Sequence, residues 1–161
     1  MFVLDTDILS ELRRRRPNPA LLRWLDSVGW DELATTALTI MEIRYGIESV
    51  RRTSMTAATA IEEWLAGLIK AGEPQILPLD TAAAQILGRM YATPALRTFL
   101  TSSPTAQQAK TGADLAIAAI AMSQEAVVAT NNVDDFRLIH RHFALSGLFN
   151  PLSGEWPVPG P

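Results

Sequence analysis

The spacing of apolar and polar positions changes period many times along this chain. Phe2-Val3-Leu4 is a short apolar run of strand type ending on Asp5. A helix from about Asp7 to Arg14 follows, then the interruption RRRRPNP, then a helical segment over PALLRWLDSV. ELATTAL has the pattern of a second strand. In TIMEIRYGIESV the residues Ile40, Ile43, Ile47 and Val50 fall on one helical face. TAATAIEEWLAGLIKAG predicts a long helix stopped by Gly72 and Pro74.

QILPLD reads as a third strand, and TAAAQILGRMYATPALRTFL as helix broken near Pro94. TSSPTAQQAKTG has loop composition. ADLAIAAIAMSQE predicts a buried Ala-rich helix, AVVAT a fourth strand, NNVDDF a turn and FALSGLFNP a last strand. Strands alternating with helices predict an α/β fold: three layers, α/β/α, around a mostly parallel sheet of four to five strands. The expected organisation is one domain over residues 1–150, with a Pro/Gly-rich C-terminal tail over 151–161 in which only Trp156 has much to bury.

Composition narrows the chemistry. The 161 residues are 48% hydrophobic and contain no Cys, which excludes disulfides and zinc–thiolate sites. The first residues lack a basic, signal-like segment, and LAIAAIAM is too short to span a bilayer, so the expectation is a cytoplasmic protein. Net charge is −3, which argues against binding nucleic acid through overall charge. Nucleophile-elbow, phosphate-loop and dinucleotide fingerprints are absent.

Acidic residues are what remains. Asp5 ends the first strand, Glu42 lies one turn into the helix after the second, Asp114 opens the Ala-rich helix, and Asp134 and Asp135 follow the fourth strand. A fold of this class can bring all of them to the carboxyl edge of its sheet. Helix capping is the competing explanation: Thr39 with Glu42 and Thr111 with Asp114 match capping-box spacings, and Asp134 is a possible cap. Asp7 is better placed than Asp5 to cap the first helix, so Asp5 needs another partner. Converging carboxylates repel one another unless a hard cation such as Mg²⁺ or Mn²⁺ joins them. His140 and His142 sit two apart on a helix, on different faces, and read as surface residues.

The motifs VLDTDILSEL, ALTIMEIRYGI, GADLAIAAIA and VVATNNVDDF, in this order, resemble the PIN-domain ribonucleases, most of all the VapC and FitB toxins of bacterial type II toxin–antitoxin pairs. The resemblance implies that Asp5, Glu42 and Asp114 hold Mg²⁺ or Mn²⁺ and position the water that attacks an RNA phosphodiester. It also implies that Thr6 and Ser10 support the first Asp. The fourth acidic position varies among relatives and is assigned to Asp135, with Asn132 and Asp134 as supporting groups. Asp7 departs from the family, which commonly has Asn there; the extra carboxylate either strengthens metal binding or caps the helix, and the cap is the preferred reading. The loop before Asp114 is longer than usual.

The implied partners are the RNA substrate, a cognate antitoxin whose terminal segment covers the acidic site, operator DNA reached only through the antitoxin, and a second copy of the chain in a homodimer. Leu22, Trp24, Leu25 and Trp64 are either the antitoxin groove or ordinary core. Arg13–Arg16 reads first as a helix end, where cations favour the dipole, and second as an RNA contact together with Arg44, Arg51 and Arg52. An alternative function is a DNA-binding regulatory complex with little catalysis. A third is a phosphatase or DNA nuclease using the same carboxylates.

Overall fold

The computed structural model describes residues 1–101 and 112–161, so most of the predicted Ser/Thr/Gln loop lies outside the described residues. Strands β1 (Phe2–Leu4), β2 (Leu33–Thr36), β3 (Gln75–Leu77), β4 (Val127–Ala129), β5 (Leu148–Asn150) and β6 (Glu155–Val158) form one sheet in the order β3-β2-β1-β4-β5-β6. All neighbours are parallel except β5 and β6. The sheet therefore has six strands, not four to five. The extra strand comes from the segment expected to be a tail. Its Pro157 is tolerated because an edge strand can lack a ladder donor.

The helices are α1 (Thr6–Leu12), α2 (Pro19–Val28), α3 (Ala37–Arg51), α4 (Met55–Ala71), α5 (Thr81–Tyr91), α6 (Ala113–Ser123) and α7 (Val133–His140). After the break near Pro94 the chain makes a 3-10 turn, Pro94–Phe99. Part of the predicted turn NNVDDF is the start of α7.

Alternation along the strands separates two cores. Val3, Ala34 and Val128 face α5, α6 and α7, whereas Leu4, Leu33 and Ala129 face α1 to α4. This gives three layers. On α3, Ile43 and Ile47 are buried while Ile40 and Val50 pack at the margin of the same cluster. Helix α6 is buried on almost every side, as an apolar helix with many Ala residues allows, and Asp114 is its half-buried exception in the first turn. Phe2, Trp24, Phe149 and Trp156 form an aromatic group, with Trp156 4.8 Å from Phe149 between centroids, which fixes β6 to the sheet.

The order of strands reverses between β1 and β4. Chain connections run from β1 towards β3 on one side and from β4 towards β6 on the other. Such a switch point opens a crevice beyond the carboxyl ends of the two strands. Asp5 and Thr130 are the first residues past those ends.

Candidate active site

Asp5 is 3% exposed and is itself the cap of α1, accepting from the Thr6 N–H at 2.7 Å through Oδ1. The cap is therefore not Asp7. β1 ends at Leu4 as expected, and α1 begins directly after it at Thr6, two residues before the Ile8 start that a cap at Asp7 requires. The Asp5 Oδ2 accepts from the Thr130 hydroxyl at 2.7 Å. Each oxygen thus has one donor and keeps a free lone pair. Burial, then the charges of Asp7 and Asp114, hold the Asp5 carboxyl well above the usual carboxylate range, against the bonds from Thr130 and Thr6. No Lys, Arg or His pairs with it among the described residues.

Asp7 lies in the first turn of α1 and ties it to the loop after β4: its Oδ2 accepts from the Asn131 N–H at 2.9 Å. Its Oδ1 is buried with no hydrogen-bond donor. Burial raises this carboxyl too, with the Asn131 N–H opposing.

Glu42 reaches the site from α3. Its Oε2 accepts from the Thr6 hydroxyl at 2.6 Å, so Thr6 serves Glu42 with its side chain and Asp5 with its backbone. The capping-box reading of Glu42 fails because α3 starts earlier. Its cap is Thr36, which accepts from the Thr39 N–H at 3.0 Å, and that puts Glu42 in the second turn. The cap position of α6 is Gly112, in the left-handed conformation at φ 69° and without a side-chain cap; the expected partner Thr111 lies outside the described residues. Asp114 is half-buried, near enough to Asp5 for their charges to couple.

The fourth acidic position connects through hydrogen bonds. The Asn132 N–H donates to the Thr130 hydroxyl at 2.9 Å and its side-chain amide to Asp135 Oδ2 at 3.0 Å. A continuous path therefore runs Asp5–Thr130–Asn132–Asp135. Asp134 is exposed in the first turn of α7 and makes no cap. Thr130 is the site residue that sequence reasoning missed. Its only signal was a polar side chain directly after an apolar strand.

His142 is exposed, as expected, while the half-buried His140 accepts the Leu145 N–H through Nδ1. Arg14 pairs with Glu11. Arg44 and Arg51 pair with Glu48 and Glu62 across α3 and α4. An apolar cavity of about 530 Å³ opens between α1, α2 and α4, lined by Leu22, Leu25, Trp30, Trp64 and Leu68. Trp24 packs into the aromatic group instead.

Among the described residues no group of three or more His, Asp or Glu side chains is gathered tightly enough to enclose a cation. The donors nevertheless fit a hard divalent cation in kind. They are all oxygen, they repel one another, and one buried carboxylate oxygen has no proton donor.

The model of the PIN domain family matches residues 2–141. The chain belongs to the PIN-domain family. This PIN-domain chain is 32% identical over 137 residues to the plasmid stability protein StbB of Pseudomonas syringae pv. tomato, covering 84% of this chain and 91% of that one. It is 30% identical to the VapC ribonuclease Y4jK of Sinorhizobium fredii, covering 84% and 90%. Among solved structures it resembles FitAcB from Neisseria gonorrhoeae, with a TM-score of 0.68 and 28% identity over 94% of this chain and 98% of that one. DNA-bound VapBC from Salmonella typhimurium gives 0.62 and 26% over 84% and 89%.

Proposed function

We propose that this PIN-domain protein is the toxin of a bacterial type II toxin–antitoxin pair, an endoribonuclease that hydrolyses RNA phosphodiester bonds with Mg²⁺ or Mn²⁺. The observation that carries the reading is Asp5: a buried carboxylate at the switch point, beside the charges of Asp7 and Asp114, with no cationic side chain paired to it among the described residues. Uncompensated burial of this kind is costly, and it is retained where a site needs it. Relatives called VapC ribonuclease and toxin FitB support the substrate class and the toxin role.

In this reading Asp5, Glu42 and Asp114 hold the cation, and Asp135 is the fourth acidic group. When bound, the cation lowers the pKa of the attacking water and offsets negative charge on the phosphate. The chain's own residues prepare the site. Thr6 fixes the Glu42 carboxylate, Thr130 orients Asp5, and Asn132 holds Asp135. The free oxygen of Asp7 adds anionic character where the family commonly has an amide.

Regulation follows from the apolar cavity between α1, α2 and α4. A cognate antitoxin would seat an apolar segment there, extend a basic side chain over the carboxylates, and carry operator DNA. A homodimer and a cytoplasmic location belong to the same reading. Solved structures of relatives, among them FitAB bound to a DNA fragment, support an antitoxin partner. Among the described residues no helix is long and apolar enough to cross a membrane.

The test is incubation of antitoxin-free protein with total cellular RNA and Mg²⁺, Mn²⁺ or EDTA. Discrete fragments that require metal are expected. Intact RNA under every condition, with folded protein, would leave the regulatory DNA-bound complex as the better reading.

A further inference from the structure

A second cavity, of about 370 Å³, begins at Thr6 and Glu42 and runs between α1, α3 and α4. Its volume lies within the usual range for a small-molecule site. Arg13 lines it, and so do the hydroxyl-bearing residues Ser10, Tyr45 and Ser49. Arg14, the next residue in the arginine run, is neutralised by Glu11, but Arg13 has no ion pair among the described residues. The three hydroxyls likewise have no hydrogen-bond partner there, and Tyr45 is 46% exposed. A free cation, free hydroxyls and an open aromatic ring thus share one recess with a site carboxylate.

We propose that this recess binds the RNA nucleotide next to the scissile phosphate, with Arg13 on its phosphate and Tyr45 against its base. The proposal rests on the ribonuclease reading and adds where the substrate lies. Arginine offers a planar set of donors to phosphate oxygens, and it offsets the repulsion that Glu42 exerts on an anionic strand. Hydroxyls suit phosphate or the ribose 2′-OH, and an exposed aromatic ring suits an unstacked base. Of the four arginines at positions 13–16, this assigns a substrate role to Arg13 alone, since it alone lines the cavity.

The experiment uses the intact protein and a short RNA oligonucleotide that it cleaves. Arg13→Gln is expected to raise KM about tenfold with kcat within twofold, the signature of uniform substrate binding. It should also reduce the slope of log affinity against log salt by about 0.7, the value for one phosphate contact on a single strand. Arg15→Gln, exposed in the same run but outside the cavity, should change KM less than twofold. Tyr45→Ala should cost roughly tenfold on the intact oligonucleotide, and nothing on one made abasic at the flanking position. Equal effects of the Arg13 and Arg15 substitutions, or no effect of either, would overturn the subsite while the nuclease stands. A parent protein that cleaves no RNA would overturn the nuclease reading itself.

Discussion

The hydroxyl of Thr130 donates to Asp5 Oδ2 at 2.7 Å, joining the ends of the two central strands across 125 positions of sequence. The Thr130 Oγ1 also accepts the Asn132 N–H, so one buried hydroxyl orients the first acidic residue and the loop that carries the fourth. Replacing Thr130 by Val keeps the shape and removes both bonds. The buried Asp5 oxygen and the Asn132 N–H then lack partners, which costs about 1–3 kcal/mol of stability. Divalent-cation affinity should fall about 10–100-fold, as it does when a ligand loses its supporting group. Chemical denaturation and metal titration of Thr130→Val check both.

Asp5 also sets a dependence on pH. Its carboxyl is raised in the folded state, so the protonated form favours folding. That contribution is complete below the ordinary carboxylate range and is lost as pH rises through the raised value. Without divalent cations, Asp5→Asn should therefore melt above the parent near neutral pH. The gap should narrow as the pH falls. Thermal melts in EDTA across a pH series measure it, and a constant or reversed gap would contradict the assignment.

Thr36 starts the helix that carries Glu42. It is fully buried and accepts the Thr39 N–H, and the two Thr hydroxyls also bond to each other at 3.1 Å. Thr36→Ala should cost about 1–2 kcal/mol, the usual penalty for losing a cap. Denaturant midpoints compared with the parent give the number.

Leu22 is 42% exposed at the lip of the apolar cavity. Leu22→Glu should leave the melting temperature nearly unchanged, as expected for a surface position. It should weaken capture of the co-expressed cognate antitoxin tenfold or more, because a charge would have to be buried beneath the bound segment. Undiminished co-purification would remove this cavity from the antitoxin interface.

Much of this architecture was legible from pattern alone. The segment PALLRWLDSV matches α2 residue for residue, and the strand–helix alternation carried the parallel sheet. What was not legible depends on competition between nearly equivalent residues. Asp5 and Asp7 are both good caps, and what decides between them is whether α1 starts directly after β1 or two residues later. Thr36 and Thr39 are both plausible starts for α3, and the capping-box spacing of Thr39 and Glu42 pointed to the later one. The last strand was hidden because Pro and Gly read as breakers; its place depends on an edge of β5 and on Phe149, which local composition does not reveal. Thr130 was hidden for the same reason, since its partner lies at the other end of the chain.

In the proposed nuclease, Asp5, Glu42 and Asp114, contributed by three separate elements, share one divalent cation. Titration of the protein with Mn²⁺, followed by electron paramagnetic resonance, measures whether they do. The parent should bind Mn²⁺ at the site with Mg²⁺ competing, and Glu42→Gln and Asp114→Asn should each reduce the affinity by at least tenfold while remaining folded. Undiminished Mn²⁺ binding in both variants would mean that these carboxylates do not share a cation.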